Sequence, residues 1–506
     1  MAQFDLLGPL VKILVNRSGF GKASVWHAVI VTFLHFFSWG LLTVPFIDKI
    51  SGYFGNQALL VDGLVYGGRG LLGFVSTPVM GAISDFRGRK VVMLLAVVGN
   101  YLPIPFMLME GWLFFVILTV STISGAPYSA CLAYVADVTN VENRSKGYGY
   151  VAASFGAGIA FSPFLGNYLM KSFGSGSVIL IAAITGIINI LFLIFGVPES
   201  LVLKETTLML DKKHLKEDWN KRMEEVDAQN SAINPKEKKQ ILEVQKEGPA
   251  ECLNEKSESV HQEIILNPNK IEEQQKESEG TTNGNTTLKP SDLWAVLRKS
   301  SKDKNLLVIY LITFLSCLPF AGIDATAPVY LKTNMGFQYE EMSMMLGLLS
   351  IIAISSNILM GYIMNLVGAR LLIRLGLLFL LSQLLFFGFG TQHWMFWMSS
   401  ILAAMATIIP AAYNAVASIY ASPENQGAVL GIISGIECLS EGIGPALFGV
   451  LFYIFQEDSK DTFTVISPIP MPFFISGIGV AVAIILTALI SKQTLETESN
   501  EEVTRL

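Results

Sequence analysis

Twelve apolar runs limit what this chain can fold into more than any other feature of its sequence. A run of about 20 apolar residues, wound as a helix, crosses the roughly 30 Å hydrocarbon core of a bilayer. Inside lipid the backbone must satisfy its own hydrogen bonds, which favours helices. We therefore predict an all-α membrane protein with twelve transmembrane helices, here termed spans 1 to 12. The predicted spans are residues 26–46, 59–84, 91–109, 112–136, 147–170, 178–197, 306–330, 342–366, 371–390, 394–420, 428–455 and 471–490.

A polar insert separates span 6 from span 7. Residues 199–304 hold 39 of the 76 Asp, Glu, Lys and Arg residues, although they make up only a fifth of the chain. A segment this polar buries too little apolar surface to offset chain entropy, so we expect it to be largely disordered. The predicted organisation is an N-terminal segment (1–25), a first six-helix half (26–198), the insert (199–304), a second six-helix half (305–491) and a tail (492–506).

Composition excludes several classes of function. The chain is 52% hydrophobic and 15% charged, far from the balance of a soluble enzyme, and its net charge of −6 offers no surface for nucleic acid. No phosphate-binding loop follows a strand pattern, and no metal-binding or Ser/His/Asp motif stands out. The four cysteines form no CxxC pair. We expect no enzyme activity, no catalytic residues, no cofactor and no resident metal.

Basic residues in the short loops predict the orientation, because Lys and Arg are retained on the cytosolic side. Seven basic residues fall in loops on one side of the predicted bundle and four on the other. The first side is therefore predicted to be cytosolic, together with both termini and the insert. The membrane would be the plasma membrane or an endomembrane. The seven are Arg87, Arg89, Lys90, Arg144, Lys146, Arg370 and Arg374; the four are Lys49, Lys171, Lys332 and Lys460.

The two halves repeat one another. Gly81, Asp85, Gly88 and Lys90 recur 280 residues later as Gly361, Asn365, Gly368 and Arg370, with Asn in place of Asp. Parallel repeats of six spans are an architecture of secondary transporters, which bind solute between the halves near the middle of the membrane. The repeat thus predicts a transporter with a central site.

Residues 81–90 (GAISDFRGRK) resemble the signature of the major facilitator superfamily between spans 2 and 3. In that superfamily the equivalent of Asp85 helps to latch the halves shut on the cytosolic side. Here its partner would be the start of span 11 near Gly427, and it could pair with Arg89 or Arg144. Arg87 and Lys90 could instead be plain topogenic charges. The gating set is Gly81, Asp85, Arg87, Gly88, Arg89, Lys90, Asp137 and Arg144.

Two further stretches resemble narrower groups. Residues 133–139 resemble the end of span 4 in tetracycline–proton antiporters. Span 5 resembles the glycine motif of proton-coupled antiporters, which allows close helix packing, although Ser162 and Asn167 replace glycines of that motif. The helix-packing set is Gly149, Gly158, Ser162, Pro163 and Gly166.

The whole of both halves is similar to the hippocampus-abundant-transcript group of animals. The resemblance rests on residues 27–31, 39–43, 198–200 and 444–449. That group is described as orphan, sugar-like or organic-anion-like transporters, so the resemblance implies solute transport and leaves the solute open. The group typically carries Glu where this chain has His35, and it lacks the pair Glu437 and Glu441.

Five ionisable residues inside the predicted spans are candidates for the solute and proton pathway. Inserting such a side chain at the centre of a membrane helix costs about 2.5–3.5 kcal/mol, so these residues are expected to have a functional or a pairing role. Glu437 and Glu441 are four residues apart and share one helix face, where two like charges disfavour each other and one carboxyl would hold a proton. The alternative is structural: carboxylates paired with Arg69, and a hydrogen-bonded histidine. The five are His35, Arg69, Asp324, Glu437 and Glu441.

The leading hypothesis is a proton-coupled secondary transporter of a small organic solute. By alternating access, the central site opens to one side of the bilayer and then to the other. We expect the protein to work as a monomer. One alternative is an uncoupled uniporter of a neutral, sugar-like solute. Another is a non-transporting membrane scaffold that works through the insert. Deleting residues 208–287 would separate transporter from scaffold, because only the scaffold would lose its function.

Overall fold

The structure is a computed structural model that describes residues 19–54, 58–109, 111–201, 298, 300, 303–421, 425–457 and 471–490. The predictions for the N-terminal 18 residues, for nearly all of the insert and for the C-terminal tail lie outside the described residues. Within these ranges the chain is built from helices arranged as twelve spans.

Three of the first six spans contain a break, and the other three are continuous helices. The continuous spans run to 30 residues or more in two cases, longer than a straight crossing needs. Their bounds are span 1, Val25–Leu41 and Thr43–Phe54; span 2, Ala58–Arg87; span 3, Arg89–Tyr101 and Pro103–Phe106; span 4, Leu113–Ser121 and Pro127–Val138; span 5, Val141–Phe173; span 6, Ser175–Phe195.

The second half contains one break among its described helices, in span 10, the counterpart of span 4. Over the described residues, eleven helices or helix pairs are long and apolar enough to cross a membrane. The twelfth span, Ala58–Arg87, is 30 residues long but carries Asp62 and Arg69 and falls outside that set. The bounds are span 7, Lys304–Met335; span 8, Tyr339–Val367; span 9, Ala369–Phe389; span 10, His393–Ala406 and Ile408–Tyr420; span 11, Gln426–Glu457; span 12, Met471–Leu486.

The breaks have local causes that the hydropathy pattern did not resolve. In span 4 a short 3₁₀ turn, Thr122–Ser124, is followed by Gly125 at φ +86°, a conformation that favours glycine. Pro127 then starts the next helix, where its missing N–H costs nothing. The predicted continuous span 4 is therefore two helices. In span 3 a new helical segment likewise starts at a proline, Pro103.

The junction of spans 2 and 3 corrects the predicted bounds. Span 2 continues to Arg87 and span 3 begins at Arg89, so Gly88, at φ +105°, is the whole connection. Arg89 and Lys90 were predicted to be loop charges, but both belong to the first turn of span 3 and are 1% exposed. Their burial means that they serve packing and pairing within the bundle.

Helix packing follows the internal repeat. Within the halves, span 1 packs against span 5, and the equivalent spans 7 and 11 pack against each other. Between the halves, span 2 packs along span 11, and the equivalent span 8 packs along span 5. The halves therefore meet along two seams, each of which joins a span of one half to a span of the other.

Small residues allow the backbones to approach closely at these contacts. A side chain at Gly81 would collide with the backbone of Gly427 across the seam of spans 2 and 11, and one at Gly149 would collide with the carbonyl of Asn357 across the other seam. Within the first half, Gly166 lies against the backbone of Leu41 in span 1. Close approach through small residues is the usual way in which membrane helices associate.

Replacing Gly166 with Ala is expected to destabilise the first half. The new methyl group would meet the Leu41 carbonyl, which cannot move aside as a flexible side chain could. Overpacking of this kind typically costs about 1–3 kcal/mol. The midpoint of thermal unfolding in detergent should fall by several degrees. Gly176→Ala is the matched control, because nothing lies within 4 Å of the added methyl group; equal midpoints for the two variants would contradict the packing argument.

Candidate functional site: a latch and a charge cluster between the halves

Asp85 joins the two halves at one end of the bundle, which we call the motif end. Its Oδ1 accepts a hydrogen bond from the Gly427 amide and its Oδ2 one from the Ala428 amide, both at 2.8 Å. These amides lie at the start of span 11, where backbone N–H groups lack partners in their own helix. The carboxylate also faces the positive end of the helix dipole. This is the contact expected from the sequence, and it ties span 2 to span 11.

Arg89 holds that carboxylate in place. Its Nη2 lies 2.6 Å from Asp85 Oδ1, and its Nε donates to Asp137 Oδ2 at 2.8 Å. The planar guanidinium suits this double role, because its donors point in fixed directions and it stays charged when buried. Spans 2, 3 and 4 are thus joined in one charged network that ends on span 11. We call Asp85, Arg89 and Asp137 with the Gly427 and Ala428 amides the latch.

Three other basic residues of the gating set have different surroundings. Arg87 is exposed and has no hydrogen-bond partner among the described residues. Lys90 Nζ donates to the Ile194 carbonyl at 2.9 Å, so this buried lysine joins span 3 to span 6. Arg144 does not reach Asp85; it donates to the Ser418 carbonyl at 3.1 Å and to the Ala136 carbonyl at 3.2 Å. Arg144 therefore ties span 5 to span 10 beside the latch.

The equivalent position in the second half makes a weaker contact. Asn365 accepts a hydrogen bond from Ser145 Oγ at 3.5 Å, without the ion pair that Asp85 makes. Nearby, Lys146 Nζ lies 5.1 Å from the centre of the Tyr362 ring. The two seams are unequal at the motif end, because only the first repeat places a carboxylate on helix amides.

Glu199 was missed as a functional residue. Its carboxylate accepts hydrogen bonds from the Arg89 amide at 2.8 Å and the Lys90 amide at 3.1 Å, and so caps span 3. The adjacent Ser200 Oγ donates to Asp137 Oδ2 at 3.1 Å. The signal in the sequence was a Pro-Glu-Ser triplet directly after span 6. The first residues of the insert are thus bonded to the latch.

The structure brings the five ionisable candidates together between the halves. Arg69 of span 2 interacts electrostatically with His35 of span 1 and with Glu441 of span 11. Glu441 in turn interacts with Asp324 of span 7 and with Glu437. We call these five residues the central cluster. Both halves contribute to it, so a relative movement of the halves would change its geometry.

Members of the cluster differ in exposure and in bonding. Asp324 and Glu441 are exposed, whereas Glu437 is half-buried and accepts a hydrogen bond from Tyr413 Oη at 2.6 Å. Arg69 has no carboxylate within ion-pair distance in the described part of the chain, and its Nε is buried without a partner. The alternative of a direct structural ion pair with Arg69 is therefore wrong.

His35 is buried among aromatic side chains. The side chain is 5% exposed, and Nδ1 has no partner among the described residues. Its ring packs edge-on against Phe36 and tilted against Tyr101, with centroids 5.0 and 5.4 Å away. Within the described ranges, no group of three or more His, Cys, Asp and Glu side chains could hold a metal ion.

Three further residues belong beside the cluster and were not predicted. Asp62 lies seven residues, two helical turns, before Arg69 and so shares its face of span 2. Tyr66 lies between them and interacts electrostatically with Asp62, Arg69, Asp324 and Glu441. The spacing of Asp62 and Arg69 was a readable signal; Tyr413 lies on another helix and offered none.

Comparison with known proteins agrees with this architecture. The Major Facilitator Superfamily profile matches residues 28–244 and 309–505. The human hippocampus abundant transcript-like protein 1 is 34% identical over 441 residues, which cover 87% of this chain and 72% of that protein. The class C tetracycline resistance protein of Escherichia coli is 31% identical over 155 residues, or 30% of this chain and 37% of that protein.

A solved structure shows the same fold. The crystal structure of the human organic anion transporter MFSD10 (TETRAN) superposes with a TM-score of 0.61 and 17% sequence identity, covering 92% of this chain and 98% of that one. With the profile match and the curated relative, this establishes a multi-pass membrane protein that transports solutes and is not an enzyme. The chain belongs to the major facilitator superfamily, in the group of the hippocampus abundant transcript proteins.

Proposed function

We propose that this transporter moves a small organic solute in exchange for protons, by alternating access. The observation that carries the proposal is the central cluster: Glu441 of the second half interacts with Arg69 of the first half without an ion pair, and with Asp324 and Glu437 of its own half. Ionisable groups inside a membrane are costly and generally mark a pathway for substrate or protons. A cluster shared by the halves can couple proton binding to their movement.

The latch supplies the second part of the mechanism. With Asp85 bonded to span 11, the motif end is held closed, and access to the cluster has to come from the opposite end. Opening the motif end requires Asp85 to leave the Gly427 and Ala428 amides. We propose that the motif end faces the cytosol, as the basic residues predict, and that the closed latch defines the outward-facing state of a monomer.

Exchange of solute for protons follows from the same features. An ionised carboxylate of the cluster can bind solute. Protonation of that carboxyl removes the negative charge to which the solute binds, so solute and proton compete for the same group. Competition for one site is the simplest basis for antiport. The resemblance of span 5 to proton-coupled antiporters, and the match to a tetracycline resistance protein, support this direction of coupling.

Purified full-length protein in liposomes that contain a pH-sensitive dye tests the proposal. Pools of sugars, organic anions and organic cations are added outside, and the expected result is proton movement that depends on one solute class. Glu441→Gln and Asp324→Asn should reduce it at least about tenfold. Asp48→Asn is the matched control, because this exposed carboxylate lies outside the cluster.

Other outcomes would support other functions. Solute flux without proton movement would support a uniporter of a neutral solute and would overturn coupling. A chain that lacks residues 208–287 should keep its flux if transport is the function. Flux absent from every pool, with loss of a binding partner on the same deletion, would support the scaffold.

A further inference from the structure

Three aromatic rings of the first half form a continuous wall beside the central cluster. Phe36 of span 1 packs edge-to-face against Phe155 of span 5, with ring centroids 4.4 Å apart. Tyr128 of span 4 completes the group, with its ring centroid 6.2 Å from that of Phe36 and 5.8 Å from that of Phe155. Phe155 is exposed and the other two rings are half-buried, so ring surface stays uncovered. We call Phe36, Tyr128 and Phe155 the aromatic wall.

Glu437 of the second half lies near this wall. Tyr128 interacts electrostatically with Glu437, and span 11 packs against the second helix of span 4. Phe36, Tyr128 and Glu437 each lie 10 or 11 residues from the motif end of their helices, roughly 15–17 Å at 1.5 Å per residue. The wall and the carboxyl group therefore belong to different halves and lie at about the same depth in the bundle.

Glu437 lacks a basic neighbour to balance its charge. Arg69, the cation of the cluster, interacts with Glu441, one turn further along span 11. Among the described residues, no basic side chain lies within ion-pair distance of Glu437. The hydrogen bond from Tyr413 Oη at 2.6 Å orients the Glu437 carboxyl but adds no charge. A carboxyl enclosed by protein is costly to ionise unless a cation lies beside it, and a cationic ligand would be such a partner.

His35 adds an unpaired polar group at the edge of the wall. Its ring centroid lies 5.0 Å from that of Phe36, and its side chain interacts electrostatically with Arg69 of the cluster. The side chain is buried, and Nδ1 has no hydrogen-bond partner in the described part of the chain. Buried polar groups are normally hydrogen-bonded, so this nitrogen is available to a polar group of a ligand.

We infer that the aromatic wall and Glu437 bind the head of an organic cation, and that the solute exchanged for protons carries an alkylated ammonium group. A cation over the face of an aromatic ring is attracted by the quadrupole of the ring, and the carboxylate supplies the opposite charge. An organic anion would be repelled by Asp324, Glu437 and Glu441, and a sugar would leave Glu437 without a cation. The assignment rests on the proposed exchange for protons, but its test needs no pH gradient.

Choline and its neutral isostere dimethylbutanol, in which carbon replaces the nitrogen, provide the test because they share a shape and differ in charge. Full-length protein in detergent is titrated with each compound at constant ionic strength, and the midpoint of thermal unfolding is measured. Glucose and benzoate serve as neutral and anionic probes. Choline should raise the midpoint at concentrations at least about tenfold lower than its isostere does.

Substitutions in the wall and at Glu437 locate the binding. Phe155→Leu keeps an apolar side chain but removes an aromatic face, and it should weaken choline binding about 5- to 30-fold. Glu437→Gln keeps the size of the side chain but removes its charge, and it should weaken binding at least about tenfold. Phe164→Leu is the matched control, because Phe164 lies on the same helix, is exposed and does not belong to the wall. Its choline binding should stay within about twofold of the unmodified chain.

Several results would overturn the assignment. Equal stabilisation by choline and dimethylbutanol would do so, as would stabilisation by neither. Stabilisation by glucose or benzoate in place of choline would assign a neutral or an anionic solute instead. Equal choline binding in Phe155→Leu and Phe164→Leu would contradict a role for the wall. The unfolding midpoint of each variant without ligand confirms that it is folded.

Proton exchange can fail separately from this assignment. Choline binding that is weakened in Phe155→Leu and in Glu437→Gln, without solute-dependent proton movement in liposomes, would overturn the proposed function alone. Proton movement driven by an organic anion or a sugar, with no binding of choline, would overturn only the cationic solute.

Discussion

Asp85→Asn is expected to open the motif end of the bundle. Asn keeps the size of the side chain but loses the negative charge that faces Arg89 and the first amides of span 11. Its carbonyl oxygen is the one acceptor atom left for the two amides, because the NH₂ group that replaces the other oxygen can only donate. Hydrogen bonds to charged groups contribute about 1.5–3 kcal/mol each, so the open state should become about 10- to 100-fold more populated.

Hydrogen–deuterium exchange at the start of span 11 measures this opening without any known solute. The Gly427 and Ala428 amides are protected while they donate to Asp85, and their exchange rate should rise by the same 10- to 100-fold factor. Arg87→Gln is the matched control, because Arg87 belongs to the same motif but is exposed and outside the latch. Exchange in Asp85→Asn within about twofold of the unmodified chain would contradict the latch.

Arg69→Gln is expected to lower solute-driven proton movement by about 100-fold, the effect of removing an interaction of ~3 kcal/mol. Arg69 is the only cationic member of the central cluster at neutral pH if His35 is neutral. Its loss would leave Asp324, Glu437 and Glu441 to repel one another in a medium of low dielectric constant. Carboxyls that can no longer ionise cannot release protons.

Arg69→Lys separates charge from geometry. The Arg69 guanidinium makes no ion pair within reach and leaves Nε without a partner in the described part of the chain, so no two-point contact is lost when Lys replaces it. Lys should therefore retain activity within about tenfold of the unmodified chain. Unchanged transport in Arg69→Gln, or equal loss in both variants, would contradict a role based on charge. Proton movement is measured in dye-loaded liposomes, and thermal unfolding checks that both variants are folded.

The fold was largely predictable because the bilayer restricts the possible structures. The helices follow from apolar length, and the equivalence of the halves follows from the repeat that relates Gly81 to Gly361. Helix breaks were not predictable from mean hydropathy, because they depend on single residues such as Gly125 and Pro127. Span 2, in contrast, is an unbroken helix although it is polar for a membrane span, since one face carries Asp62 and Arg69.

The site was predictable where one helix supplied the pattern. Spacing placed Glu437 and Glu441 on one face, and the resemblance directed Asp85 to the start of span 11. Contacts between helices distant in sequence gave no such signal. Tyr413 reaches Glu437 from span 10, and Glu199 reaches the amides of span 3 from beyond span 6. Both contacts depend on packing that no local pattern encodes.

Concentrative uptake is the most direct measurement of proton-coupled solute transport through the central cluster. A solute identified in the liposome screen is placed at equal concentration on both sides, and a pH difference of one unit is imposed in either direction. Such a gradient supplies about 1.4 kcal/mol per proton, enough for about tenfold accumulation at one proton per solute. We predict accumulation that reverses with the gradient and is lost in Glu441→Gln. Solute that equilibrates to equal concentrations, whatever the gradient, would contradict proton coupling.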